Sequence, residues 1–237
     1  KRKNFALFRA NELSPNKWTP YIEHRDDVLL EGIDLFTDFL VTEERSNGLL
    51  KLVIRPWEGK PHKVTLPEET YTLYTGSNPT EKTENLRFVY TSLITPATTY
   101  EYNMSTREKK ILKQTKILGG YDSSKYVSYR YWATSDDGTK IPISWVGPRE
   151  TQGKPIPTLL YGYGSYGITV DPSFSVARLS LLQRGMAFAI AHVRGGQYMG
   201  REWYLNGRME HKINSFKDFI NCGEFLKKSG YSSKLYA

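Results

Sequence analysis

The sequence predicts a mixed fold, an antiparallel all-β unit followed by an α/β unit on parallel strands, and three observations predict it. Up to about Lys116, short β-branched or aromatic runs alternate with turn residues. After Gly119-Gly120 the rhythm changes to apolar strands separated by segments with helical spacing. One run, Met186 to Val193, is apolar throughout and bounded by Gly185 and Arg194-Gly195-Gly196, which suits a strand covered on both faces.

In the first part the strand-like runs are Phe5 to Phe8, Phe39 to Thr42, Leu50 to Ile54, Thr70 to Tyr74, Arg87 to Tyr90 and Thr99 to Tyr102. Between them sit Ser46-Asn47-Gly48, Glu58-Gly59, Gly76-Ser77-Asn78-Pro79 and Ser105-Thr106-Arg107, residues that favour tight turns. A sandwich or propeller blades would both produce this pattern. Trp18 to Ile22 and Lys63 to Pro67 resemble outer strands that precede a new unit, which favours about two blades.

In the second part, Val127 to Thr134 and Ile141 to Val146 flank Asp137-Gly138, a hairpin signal. Thr158 to Gly162 is a short strand that turns at glycines, and Ser173 to Arg184 carries apolar residues at helical spacing. A second helix is expected to start with Ser215 and Asp218 as a capping pair and to bury Phe216, Phe219, Ile220, Gly223 and Leu226. Lys227 and Lys228 fall in its last turn, and Gly230 stops it. Lys234 to Ala237 begins another strand, so the order is that of βαβ units with right-handed crossovers.

Composition narrows the function. The 39% hydrophobic and 14% aromatic content can fill a substantial core. The net charge of +8 is uneven, +2 over residues 1–119 (18 basic, 16 acidic) and +6 over 120–237 (15 basic, 9 acidic). No Lys/Arg run exceeds Lys1-Arg2-Lys3 and no basic stripe interleaves with aromatics, which argues against nucleic acid as a partner. The single Cys222 rules out an internal disulfide and any Cys-based metal cluster. A reducing, cytoplasmic setting is therefore expected, with no membrane partner, no metal and no cofactor. The chain opens on Lys1 in strand-like sequence, so the N-terminus is expected to be cut.

Gly162-Tyr163-Gly164-Ser165-Tyr166-Gly167 carries the candidate chemistry. It matches G-x-G-x-x-G, which makes NADP binding through Gly162, Gly164 and Gly167 one alternative. That reading needs an acidic residue about 20 positions on. His192-Val193-Arg194 stands there instead, and Asp171-Pro172-Ser173 delays the helix. A kinase-type loop fails because Ala187 to Ala191 carries no lysine. Ser165 fails as a nucleophile because the strained elbow needs glycine where Tyr163 stands. Two readings stay open: an oxyanion site in which the Tyr163 hydroxyl donates to a developing alkoxide, or a tight turn whose tyrosines only pack.

Several words in the sequence carry a resemblance. Tyr161 to Gly167, Phe174-Ser175, Arg178 to Leu182, Ala191 to Gly196 and Asp218-Phe219 resemble the prolyl oligopeptidase family of serine peptidases, and most closely its oligopeptidase B branch. Leu30-Glu31-Gly32, Leu35 to Asp38, Val41 to Arg45 and Leu112 to Thr115 resemble the closing segments of that family's propeller. The resemblance implies the last blades of a β-propeller over residues 1–118 and the first half of an α/β-hydrolase domain over 119–237. It implies cleavage of short peptides after Lys or Arg through an acyl-enzyme, with Tyr163 in the oxyanion hole. Asp171 would help bind a basic substrate residue, although a turn residue before Pro172 is an equally good account of it.

This sequence departs from the family at Ser173, where a second aspartate is usual, and at Gln197-Tyr198-Met199, which replace a glycine and a glutamate. By the same resemblance the nucleophile falls a few residues beyond Ala237, with the aspartate and histidine of the triad later still. None of His24, His62, His192 or His211 matches the catalytic base, and His192 reads as a core residue. The chain alone is expected to be inactive and to need the rest of its own domain as a partner. A non-catalytic β-rich binding module is the remaining alternative.

Overall fold

The computed structural model describes residues 2–237. A hairpin of β1 (Leu7–Asn11) and β2 (Ser14–Ile22) precedes two four-stranded antiparallel sheets. The first contains β3 (Val28–Leu35), β4 (Phe39–Ser46), β5 (Leu49–Pro56) and β6 (His62–Lys63), paired in sequence order. The second contains β7 (Tyr71–Thr75), β8 (Asn85–Ser92), β9 (Thr98–Asn103) and β10 (Lys109–Gln114), again paired in order. Each is a four-stranded meander, the unit of a propeller blade. The segments Trp18 to Ile22 and Lys63 to Pro67 fall in β2 and at the short edge strand β6.

The β4–β5 turn is the two-residue Asn47-Gly48 link, both residues left-handed at φ 51° and 80°, which matches the twist of a tight hairpin. Alternation along the strands sends Val41, Leu52 and Ile54 of the first blade and Leu73, Leu86 and Phe88 of the second into one shared core.

The second unit is a five-stranded mixed sheet. It comprises β11 (Tyr126–Thr134), β12 (Lys140–Pro148), β13 (Ile156–Tyr161), β14 (Ala187–Ala191) and β15 (Ser232–Tyr236), in the spatial order β11-β12-β14-β13-β15. β11 and β12 form the hairpin around Asp137-Gly138, and β13 runs parallel to both β14 and β15. Helices α1 (Val176–Leu182), α2 (Arg201–Leu205) and α3 (Ile213–Lys228) complete the unit.

β14 is buried along its whole length because both faces are covered. Ala187, Ala189 and Ala191 face the core under α3, while Phe188 and Ile190 face Leu179 and Leu182 of α1. The α1-side core also takes in Leu93 of the second blade, which joins the two units. Buried charge reinforces the sheet. Arg194, just after β14, donates from its backbone N (3.0 Å), Nε (2.9 Å) and Nη2 (2.6 Å) to the fully buried Asp218 of α3. Ser135 donates to the same carboxylate at 2.8 Å.

Three helical expectations are corrected. α1 spans Val176–Leu182 rather than Ser173 to Arg184, and α2 was not foreseen. α3 begins at Ile213, directly after a 3₁₀ turn at Met209–His211, so Ser215 and Asp218 lie inside the helix rather than capping it. Its buried face is Ser215, Asp218, Cys222, Gly223 and Leu226, whereas Phe216 and Ile220 are 57% and 59% exposed. The face turns because Asp218 and Ser215 find partners inside. Asp218 takes Arg194 and Ser135, and Ser215 Oγ donates to Arg194 O at 2.6 Å. The C-terminus is as expected: Gly230 (φ 73°) donates to Lys227 O and Tyr231 N to Leu226 O, the paired bonds of a Schellman stop.

Candidate active site

The chain runs from β13 through α1 to β14 on one side, then through α3 to β15 on the other, so the C-terminal end of β13 is where the sheet order reverses. Ligands of open α/β sheets bind at such a point. The turn Gly162–Gly167 occupies it, directly after β13.

Two glycines make the turn possible. Gly164 has φ 65°, and a Cβ there would lie 2.5 Å from Val193 Cγ2 and 2.9 Å from Arg194 O. Gly195 has φ 101°, and a Cβ there would lie 1.9 Å from Gly164 O. The two glycine loops therefore interlock backbone against backbone, and Gly167 N donates to Gly195 O at 2.9 Å.

The interlock leaves Tyr163 pointing out. It is 43% exposed, and among the described residues its hydroxyl has no protein hydrogen-bond partner. It borders a cavity of about 340 Å³ lined also by Gly162, Ser165, Val193, Lys212 and Phe219. Lys212 Nζ donates to Gly164 O at 2.5 Å, Ser165 Oγ at 2.9 Å and Ser215 Oγ at 3.2 Å. Partial burial pulls the Lys212 pKa below its ordinary value. Ser165 therefore faces an ammonium donor rather than an imidazole base, which fits its rejection as a nucleophile.

Asp171 follows this turn by four residues and is paired across the boundary of the two units. Arg45 of β4 donates to both its oxygens, at 2.8 Å (Nη1) and 3.0 Å (Nη2). Arg45 Nε also donates to Glu31 at 2.5 Å, and its side chain is only 2% exposed. Burial opposes the charge on Arg45, but Asp171 and Glu31 outweigh it and raise its pKa. The pairing has no local signature in the sequence, because Arg45 and Asp171 are 126 positions apart.

His192 is a core residue. Its ring stacks on Tyr198 at 3.5 Å, and Nε2 meets Ser144 Oγ at 2.8 Å. Ser144 in turn bonds Thr70 at 2.6 Å, which links the second blade to the sheet. Burial, then Arg130 and Arg45, push the His192 pKa well below its usual value. The unusual Tyr198 thus has a packing role, and burial raises its own pKa to about 12. Gln197 donates to Gly167 O at 3.1 Å, so it helps seat the glycine turn. Among the described residues, no group of three or more His, Cys, Asp or Glu is placed to hold a metal ion. No helix among them is long and apolar enough to cross a membrane.

Two propeller blades joined to an α/β-hydrolase-type sheet, with a tyrosine presented at the carboxyl end of its central strand, define the class. Comparison with known proteins gives the family. Residues 1–115 match the prolyl oligopeptidase N-terminal β-propeller domain, and residues 172–235 match the prolyl oligopeptidase family. The chain belongs to the prolyl oligopeptidase family.

Dipeptidyl aminopeptidase BI of Pseudoxanthomonas mexicana is 45% identical over 98% of this chain and 32% of its own length. Protease 2 of Moraxella lacunata is 36% identical over 97% of this chain and 33% of its own. The structure of oligopeptidase B from Leishmania major superposes with a TM-score of 0.91 at 32% identity, over 99% of this chain and 35% of that one. The chain thus spans about a third of the length of the curated relatives it matches. These relatives are peptidases, and neither the NADP-binding nor the binding-module alternative is favoured.

Proposed function

We propose that this chain serves a serine oligopeptidase, supplying the last propeller blades, to about residue 118, and the first half of the catalytic domain, with Tyr163 as an oxyanion donor. The observation that carries the reading is the unengaged Tyr163 hydroxyl at the end of β13, held out by two interlocked glycine loops. When a serine attacks a peptide carbonyl, the oxygen gains a full negative charge, and a donor already in place stabilises that state more than the ground state. No residue of this chain supplies the nucleophile or base, so the chain by itself is inactive. Its partner is the remainder of the catalytic domain, its substrates are short peptides, and the protein works in the cytoplasm.

The preferred substrates carry Lys or Arg before the scissile bond, with Asp171 helping to bind a basic residue. The resemblance to oligopeptidase B supports this preference, and a Trypanosoma brucei oligopeptidase B structure carries covalently bound antipain. A second reading, removal of dipeptides from a free amino terminus, is favoured by the name of the 45% identical relative.

The test is Tyr163→Phe in the peptidase with its complete catalytic domain, assayed on Lys, Arg and neutral peptides with free and blocked amino termini. Loss of one oxyanion donor should lower kcat by about 10²–10³ with little change in KM. An unchanged kcat would remove Tyr163 from the chemistry. Activity confined to free amino termini would select the second reading, and equal rates on neutral and basic peptides would refute the basic preference.

A further inference from the structure

The oxyanion reading leaves one charged group unexplained. Lys212 stands at the start of α3, half-buried, with its ammonium hydrogens directed at three oxygens of the glycine turn and its support: Gly164 O (2.5 Å), Ser165 Oγ (2.9 Å) and Ser215 Oγ (3.2 Å). An ammonium group has three N–H donors and no acceptor, so this arrangement uses its full capacity. No carboxylate pairs with it among the described residues; its charge faces oxygens of the turn and of Ser215 and, at 5.8 Å, the Phe216 ring.

The backbone at this site supplies an independent observation. Only five non-glycine residues among those described have positive φ, and two of them flank this contact: Tyr166 (φ 55°) in the turn and Met209 (φ 46°) at the head of the 3₁₀ turn that delivers Lys212. Met209 is 71% exposed, so core packing does not hold it in that conformation. Lys212 N donates to Met209 O at 3.0 Å, closing the strained segment onto the lysine. Left-handed conformations at bulky residues are unfavourable and persist where the surroundings over-determine them, commonly at functional sites.

We propose that Lys212 is a positioning residue of the oxyanion site, its ammonium group tying Gly164 and Ser165 to Ser215 so that the intervening turn holds the Tyr163 hydroxyl in its catalytic orientation. The inference rests on the reading of Tyr163 as oxyanion donor. Ser215 contributes from the other side, with its Oγ 3.3 Å from Gly164 O and 2.6 Å from Arg194 O, so the turn is fixed to α3 and to the β14 loop together. Without the lysine, the Gly164 carbonyl and the Ser165 hydroxyl lose a shared charged donor, and the turn gains freedom where an error of about 1 Å can cost about 100-fold in rate.

The experiment compares Lys212→Met, Lys212→Arg, Tyr163→Phe and Lys212→Met/Tyr163→Phe in the peptidase with its complete catalytic domain. Lys212→Met should lower kcat about 10–100-fold with KM within about twofold, because the lost interaction matters in the transition state. Lys212→Arg keeps charge and donors and should recover most of that loss. The double variant should be no slower than Tyr163→Phe within about threefold, since the lysine acts through the tyrosine. Should Lys212→Met fail to fold, Lys212→Gln replaces it with the same expectations.

A Lys212 variant that raises KM at constant kcat, or whose effect multiplies fully with that of Tyr163→Phe, would overturn the proposal. If Tyr163→Phe lowers kcat and Lys212→Met does not, this proposal alone falls. If Tyr163→Phe leaves kcat unchanged, the oxyanion reading falls and takes the proposal with it.

Discussion

Replacing Asp218 by alanine should be among the most damaging single changes in this chain, and the structure allows the loss to be sized. Asp218 is fully buried and accepts four hydrogen bonds: three from Arg194 at 3.0, 2.9 and 2.6 Å and one from Ser135 at 2.8 Å. Arg194 is 5% exposed, and its other carboxylate partner is Asp137, whose side chain is 47% exposed. Asp218→Ala therefore leaves a buried guanidinium with one screened partner, a situation that costs about 3–5 kcal/mol. A loss of 4 kcal/mol is about 700-fold in the ratio of folded to unfolded protein. Asp218→Asn keeps the volume but removes the charge and turns an amide NH2 toward an Arg194 donor, so it should cost about the same 3–5 kcal/mol, which separates loss of the charge pair from loss of packing. Asp137→Asn is the internal control, since an exposed pair contributes below about 1 kcal/mol. Urea unfolding followed by tryptophan fluorescence reads all three, provided the slope with denaturant is unchanged. A loss below about 1 kcal/mol for Asp218→Ala, or equal losses at Asp137 and Asp218, would refute the assignment of Arg194–Asp218 as the charge pair that fixes α3 to the sheet.

Two further outcomes follow from the same packing. The His192 pKa is depressed in the folded state by burial and by Arg130 and Arg45, so its contribution to stability is complete above the ordinary value of 6.5 and is lost as pH falls below it. Stability measured in urea should decline below pH 6.5 with a slope approaching about 1.4 kcal/mol per pH unit, and His192→Gln should flatten that slope; an unaltered slope in the variant would place the proton elsewhere. Gly164→Ala must place a Cβ 2.5 Å from Val193 Cγ2 and 2.9 Å from Arg194 O at φ 65°, so the urea midpoint should fall by the equivalent of about 2–4 kcal/mol, and an unchanged midpoint would show that the turn relaxes freely.

What could be read from the sequence was what local chemistry dictates. The Asn47-Gly48 turn, the Asp137-Gly138 hairpin, the uninterrupted apolar β14 and the Gly230 stop each follow from a short-range rule, and each is present. The onset and face of α3 were misread because a Ser and an Asp three residues apart look like a cap when their partners are unseen. Arg194 and Ser135, the partners that draw Asp218 inward, lie 24 and 83 positions away. α2 was missed because five residues, Arg-Glu-Trp-Tyr-Leu, are too few to show a period. Lys212 left no signal at all: a lone lysine before a helix reads as surface, and only the fold brings it 47 positions back to Ser165.

The same long-range pairing changes the meaning of Asp171. A free aspartate beside a substrate cleft would attract a basic side chain with its full charge. Here both oxygens already accept from Arg45, which is itself shared with Glu31, so two carboxylates and one guanidinium form a cluster of net charge −1. The side chain of Asp171 is 22% exposed, which leaves its edge open to solvent but not its whole charge. On the proposed role, a basic residue arriving there would complete a partly neutralised cluster instead of finding a bare anion, and Ser173 adds no second charge next to it in the chain. Arg45 sits on a propeller strand and Asp171 on the segment that follows the glycine turn, so the pair also fixes that segment to the propeller. If Asp171 has the proposed role, it offers a basic residue less than a full carboxylate charge, because Arg45 of the propeller already occupies both of its oxygens.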